Sequence, residues 1–151
     1  MSAFGRDRYM PEGEWVRSTS RVKVAGVKFR LGNVERFIRG VKSAENSGHY
    51  YGVHIEAEPD NEFDPNAIKV FGDVSVKNWF SRKQLRLHIG YLSEETARYV
   101  NENLISQNQK VAAELFSIYV SDNGFIDINI MVLGPKGYSH KAILNRRKSN
   151  S

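Results

Sequence analysis

The chain has 151 residues, 40% of them hydrophobic, with 22 basic against 17 acidic groups for a formal net charge of +5. That length supports one ordinary hydrophobic core, and the lack of cysteine excludes a disulfide framework, thiol chemistry and any thiolate zinc site. No apolar run approaches the roughly 20 residues that span a bilayer, and the opening MSAFGRDRYMPEGEW has charges where a signal peptide has its apolar centre. An intracellular, cytoplasmic location is therefore expected.

Residues 1–20 are rich in Gly, Pro, Ser and charge and read as an irregular lead-in, with Trp15 a candidate to dock on the core. Residues 21–29 alternate, with Val22 and Val24 on one face, which predicts a strand. The period then changes. Val34, Phe37, Ile38 and Val41 recur at helical spacing behind Asn33, a good N-cap residue, and the helix is expected to stop near Asn46 and Gly48. Tyr51, Val53, Ile55 and Ala57 alternate in a second strand that runs into a loop over residues 58–66, bracketed by prolines and asparagines. Short strands follow at 67–71 and 89–92. Ser93 is placed to cap a second helix, with Glu94 and Glu95 in its first turn and Ala97, Val100 and Leu104 facing inward. Residues 111–120 and 125–133 flank Asp122-Asn123-Gly124, the strongest hairpin signal in the chain. Ile126, Ile128, Ile130 and Val132 form one face of its second strand.

Strands that alternate, without a βαβ rhythm, predict a mainly β, α+β domain over residues 21–134: a small antiparallel sheet or barrel carrying two helices. Residues 135–151 hold five basic groups and no acid and read as a disordered basic tail. Residues 1–42 carry 10 basic and 4 acidic groups, whereas 43–134 carry 7 and 13, so charge is polarised along the chain. Basic patches of this kind are the footprint of a nucleic-acid or acidic-lipid partner.

There is no phosphate-binding G-x-x-x-x-G-K-[ST], no G-x-G-x-x-G and no G-x-S-x-G, so nucleotide hydrolysis, dinucleotide binding and serine-nucleophile chemistry have no support. His49, His54, His88 and His140 lack the spacing of a helical metal pair, and no metal or cofactor is expected. Glu56, Glu58, Asp60, Glu62 and Asp64 fall at every second position. They do not match a calcium loop, because Pro65 stands where Gly is required. A metal-dependent nuclease is a weaker reading, since Pro59 splits the cluster and no basic partner stands nearby in sequence. The alternative role for Asp60, Asn61, Asp64 and Asn66 is to hydrogen-bond their own loop backbone.

Basic and aromatic residues mix in two places. Lys28-Phe29-Arg30 is followed by Arg36, Arg39 and Lys42, and the stretch 74–92 carries Lys77, Arg82, Lys83 and Arg86 without an acid, interleaved with Trp79, Phe80 and Tyr91. Single-stranded nucleic acid demands this mixture, because phosphates take cations and unstacked bases take flat rings. The alternative for Trp79 and Phe80 is burial under a loop.

The run EAEPDNEFDPNAIKVFG, preceded by VAGVKFR and followed by IGYLSEETARYV, resembles the HIRAN domain family. The most specific element is E-P-x-N-x-[FY]-D-x-N-A-I-x-V, realised over residues 58–70. The resemblance implies a modified OB-like antiparallel β-barrel with helical additions. It also implies a non-enzymatic module that binds single-stranded DNA, in the best understood members by its free 3′ end, in DNA repair or replication-fork processing alongside a repair or helicase protein. Carried over residue by residue, the site is Lys28, Phe29, Arg30, Asp60, Asn61, Phe63, Asp64 and Tyr91, with Arg36, Arg39, Lys77, Trp79, Arg82 and Lys83 as candidates for further DNA contacts. Rings would clamp the terminal base, Lys28 would meet phosphate, and Asp64 would accept from a terminal hydroxyl while repelling a terminal phosphate. Three positions depart from the better-studied members, which have Arg at Lys28, an aromatic at Arg30 and in some cases Asn at Asp60. A protein-interaction adaptor on the same barrel, using the acidic loop and the hairpin edge, is the competing reading.

Overall fold

A computed structural model describes residues 11–77 and 79–149. In chain order its elements are β1 (Val16–Arg17), β2 (Val22–Lys23), a 3-10 turn (Val27–Phe29), α1 (Leu31–Ser47), β3 (Tyr51–Ala57), β4 (Ile68–Lys77), β5 (Arg82–Tyr91), α2 (Glu94–Asn103), a second 3-10 turn (Ile105–Gln107), β6 (Ala112–Val120), β7 (Ile126–Gly134) and α3 (His140–Ser149). Among the described residues the fold is α+β, with three helices and two antiparallel sheets.

β7 is the spine of the first sheet. β6 pairs along one edge, while β1 and β2 pair successive stretches of the other, at Gly134 and Leu133 and at Ile130 and Asn129. Between those stretches Ser18 donates its N–H to the Val132 carbonyl at 2.8 Å and Thr19 Oγ1 accepts from Val132 N at 3.1 Å, so the edge stays satisfied. The second sheet is β3-β4-β5, with a bulge between Val70 and Phe71. Among the described residues a single bridge, Ala25 with Tyr91, connects the sheets through N–H to carbonyl bonds of 2.7 and 2.9 Å.

Among the described residues the barrel is not closed. The predicted strand over 21–29 is the reason: only Val22–Lys23 pair in it, and after Ala25 the chain turns at Gly26, whose φ of 76° suits glycine, into the 3-10 turn. What remains of the seam is the single bridge.

α1 lies across the second sheet, and two glycines make that approach possible. A Cβ on Gly72 would sit 2.4 Å from the Phe37 ring, and one on Gly40 would sit 2.7 Å from Val74. Phe37, Val34 and Val41 are fully buried as a result. The helix ends where expected, at Gly48 with φ 72°, whose N–H returns to the Ala44 carbonyl. Its start does not follow the prediction. α1 begins at Leu31, and Asn33 is no cap, because its side chain instead donates to the His88 carbonyl at 3.0 Å and pins the helix to β5. Ser93 does cap α2, accepting from Thr96 N at 3.2 Å.

The strands expected at 67–71 and 89–92 are longer than predicted, and residues 74–88 form the distal half of one long β4–β5 hairpin. The tail departs from expectation as well. Residues 140–149 form α3, which buries Ile143, while Ser18 Oγ donates to the Tyr138 carbonyl at 2.7 Å and Tyr99 Oη lies 3.0 Å from His140 Nδ1. Of the expected irregular lead-in, Val16–Arg17 pair in β1, and residues 1–10 lie outside the described residues.

Candidate functional site

The bulge at Ile89 of β5, opposite Val70 and Phe71, sets Lys69 opposite Tyr91, and this pairing organises the loop that precedes it. Lys69 Nζ meets Glu58 Oε2 at 2.7 Å, and the Tyr91 hydroxyl donates to Glu58 Oε1 at 3.1 Å. Asn61 Nδ2 also donates to Glu58 Oε1. Held by Lys69 first and Asn61 second, the Glu58 carboxyl is lowered to about 2. Glu58 is thus a fixed anion at the centre of the site.

The loop over residues 58–66 is built outward from it. Asn61 Oδ1 accepts from the N–H groups of Phe63 and Asp64, at 2.9 and 3.0 Å, and Asp64 Oδ1 accepts from Asn66 N at 2.9 Å. Two of the loop's short polar side chains therefore hold their own backbone, as the sequence allowed. Asn101 of α2 ties the loop down by donating to the Asn66 carbonyl at 2.8 Å. The second Asp64 carboxylate oxygen has no partner among the described residues. Asp60 is exposed, and Phe63 is 93% exposed on a backbone that is fixed from both sides.

The 3-10 turn reaches the same frame through Arg30, the residue that follows it. Arg30 lies with its guanidinium carbon 5.2 Å from the Tyr91 ring centroid and donates Nε–H to His88 Nδ1 at 3.2 Å. The aromatic expected at this position is replaced by a cation stacked on a ring. Lys28 sits 5.2 Å over the Phe29 ring, and Phe29 is 75% exposed. One continuous chain of contacts therefore runs from the 3-10 turn through Arg30, Tyr91, Glu58 and Asn61 to Phe63 and Asp64.

His88 belongs to this chain, although a lone histidine reads as a surface or turn residue in the sequence. Its ring lies between Phe71, at 5.3 Å, and Tyr91, at 5.0 Å. Nδ1 accepts from Arg30, so Nε2 carries the proton and donates to the Gly90 carbonyl at 2.8 Å. Burial, and then the Arg30 charge, lowers its pKa, and burial followed by Arg86 lowers that of His54. Both rings thus resist protonation in the folded protein and accept it at about 6.5 when unfolded. Stability is expected to be complete above about pH 7 and to fall as pH drops through 6.5, a window separate from the carboxylate range. The urea midpoint measured from pH 7.5 to 5.0 should decline, and His88→Gln should flatten that decline; a level wild-type profile would contradict it.

Other expectations for the site change. The alternating carboxylates make no stripe, because β3 ends at Ala57 and the chain turns at Pro59. Lys69 is the basic partner that reading lacked, found by strand pairing and not by sequence proximity. Among the described residues no three His, Asp or Glu side chains come together as a metal site. The further candidates divide in space. Arg36 and Arg39 are exposed on α1. Lys77, Trp79, Arg82 and Lys83 sit at the far end of the β4–β5 hairpin, eight residues from the Lys69–Tyr91 pair, which is about 26 Å at the usual strand rise. Trp79 and Phe80 are 95% and 98% exposed, so the buried alternative for them does not hold. Arg86 is occupied, with Nε and Nη2 on the two oxygens of Asp73 at 2.8 and 3.1 Å.

The family model described as the HIRAN domain matches residues 18–135. A protein of Lactobacillus plantarum of known crystal structure aligns over 80% of this chain and 94% of its own, at a TM-score of 0.50 and 16% identity. The HIRAN domain of human HLTF aligns over 93% and 95% respectively, at a TM-score of 0.47 and 17% identity. Among curated protein sequences none matches the chain. No helix among the described residues is long and apolar enough to cross a membrane.

Proposed function

The chain belongs to the HIRAN domain family, and from that membership we propose that the surface formed by its 3-10 turn and its 58–66 loop binds single-stranded DNA at a free 3′ end, as a module without chemistry of its own. The observation that carries this reading is the Arg30–Tyr91–Glu58–Asn61 chain, which ties two exposed rings, Phe29 and Phe63, to one rigid frame. Rings carried on a backbone anchored this way need little backbone ordering when a base stacks on them. Lys28 has no acidic partner among the described residues and is available to a phosphate.

Asp64 supplies the discrimination. Its unengaged oxygen accepts a hydrogen bond from a terminal hydroxyl, and its charge opposes a terminal phosphate. Asn61, which the family resemblance places in the DNA site, contributes in this reading through the loop, since its amide oxygen accepts from Phe63 and Asp64 and its Nδ2 donates to Glu58. It positions the loop.

Fluorescence anisotropy of a short strand with a 3′-hydroxyl, compared with its 3′-phosphorylated twin, tests this reading. Wild type is expected to prefer the hydroxyl, and Asp64→Ala is expected to lose that preference while still binding. Binding should weaken steeply with salt through counterion release, which an apolar protein contact would not show. Equal affinity for the two strands would reduce the site to a general clamp. No binding at low salt would return the question to the adaptor reading.

A further inference from the structure

The β4–β5 hairpin is longer than the sheet it belongs to. β3 pairs with β4 only as far as Tyr51 opposite Val74, yet β4 and β5 continue together through Ser75–Gln84, Val76–Lys83 and Lys77–Arg82. The last three pairs form a two-stranded arm extending roughly 10 Å past the end of β3. Such an arm is marginally stable by itself, so placing two of the largest aromatic side chains at its tip, nearly fully exposed, gives the fold no burial in return. The charges on the arm are of one sign. Lys77, Arg82 and Lys83 are exposed, the segment 74–88 has no acid, and the carboxylate that precedes it in sequence, Asp73, is taken up by Arg86.

We propose that this arm is a second nucleic-acid contact, in which Trp79 and Phe80 stack on unpaired bases while Lys77, Arg82 and Lys83 neutralise the adjoining phosphates. The inference rests on the reading of the first surface as a DNA site and adds a separate one to it. Charge complementarity selects the occupant: an acid-free arm fits a polyanion, and exposed rings fit one whose bases are unstacked. The separation of about 26 Å between the first surface and the tip sets a length requirement. A strand of 4 nucleotides has three steps, which even at about twice the stacked rise of 3.4 Å span only about 20 Å and fall short, whereas one of 20 has ample length. The exposed α1 residues Arg36 and Arg39 offer cations on the helix between them.

The test uses the full chain, dT4 and dT20. Trp79→Ala is expected to weaken dT20 binding by roughly 5- to 150-fold, the effect of one lost base stack, and to leave dT4 affinity and its 3′-hydroxyl preference unchanged. In a Trp15→Phe background, where Trp79 is the sole tryptophan, its emission should be quenched by dT20 and not by dT4. Unaltered dT20 affinity in Trp79→Ala, or unquenched emission at saturation, would overturn the proposal while leaving the end-binding surface standing. Quenching by dT20 with no 3′-hydroxyl preference would support the arm and remove the end-binding reading. Emission that shifts with phosphatidylserine vesicles but not with dT20 would overturn it in favour of a lipid surface.

Discussion

Replacing Phe29 and Phe63 together by Ala should weaken binding of a short single strand by about 30-fold or more, with the fold intact. The size follows from base stacking on aromatic side chains, about 1–3 kcal/mol for each ring removed. The two rings stand on separate segments and are both largely exposed, so their losses should add, apart from coupling through a shared base. Exposure also predicts what should stay the same. Neither ring fills a cavity, so the urea midpoint should change little, and any shift should be that of a surface substitution, within about 0.5 kcal/mol. A double variant that binds as wild type does would show that the rings are not the stacking platform. One that unfolds early would show that they have a structural role. Arg30→Ala should be intermediate and less clean, because it leaves His88 Nδ1 without its donor and uncovers Tyr91 as well as removing a cation.

Local chemistry explains which parts of the fold were legible in the sequence. Ser93 capping α2, Gly48 ending α1 and Gly124 turning the β6–β7 hairpin depend on residues within one turn of each other, and each behaves as its type predicts. The failures involve contacts made at long range. Asn33 has the chemistry of a cap but spends it on β5, 55 residues away. α3 has only Ile143 buried, so its helical period is nearly silent, and it is held by Ser18 and Tyr99 through Tyr138 and His140. A charged tail with one inward residue reads as disordered because its binding surface lies elsewhere in the chain.

The site shows the same division. The motif over residues 58–70 predicted the loop, and its Asn and Asp do hold that loop. The Glu58–Lys69–Tyr91 frame was not legible, because it depends on the register that the Val70/Phe71 bulge imposes on β4 and β5. His88 was missed for a related reason, since its burial is created by Phe71 and Tyr91 from two adjacent strands. Strand alternation carries no record of a bulge until the partner strand is in place.

The largest effect on stability is expected at Phe37→Ala, a loss of about 3–5 kcal/mol. Phe37 is fully buried against Gly72, and that approach holds α1 to β4. A domain of this size is typically stable by about 5–15 kcal/mol, so the variant should remain folded at 25 °C with a much lower urea midpoint. The sign of a second substitution then depends on the first. Gly72→Ala alone should destabilise by about 1–3 kcal/mol, because its Cβ would sit 2.4 Å from the ring. In the Phe37→Ala background the same methyl enters the space left by the ring and removes chain entropy from the unfolded state, so it should be neutral or stabilising. The cycle should therefore show a coupling of about 1–3 kcal/mol. Strict additivity would mean that helix and sheet do not meet where the geometry puts them. The consequence reaches the site, because α1 begins at Leu31, directly after Arg30, and carries Asn33 onto β5. Loosening Phe37 frees the cation that covers Tyr91, so single-strand affinity should fall in Phe37→Ala and recover in part with Gly72→Ala, even though neither residue lies in the proposed DNA site.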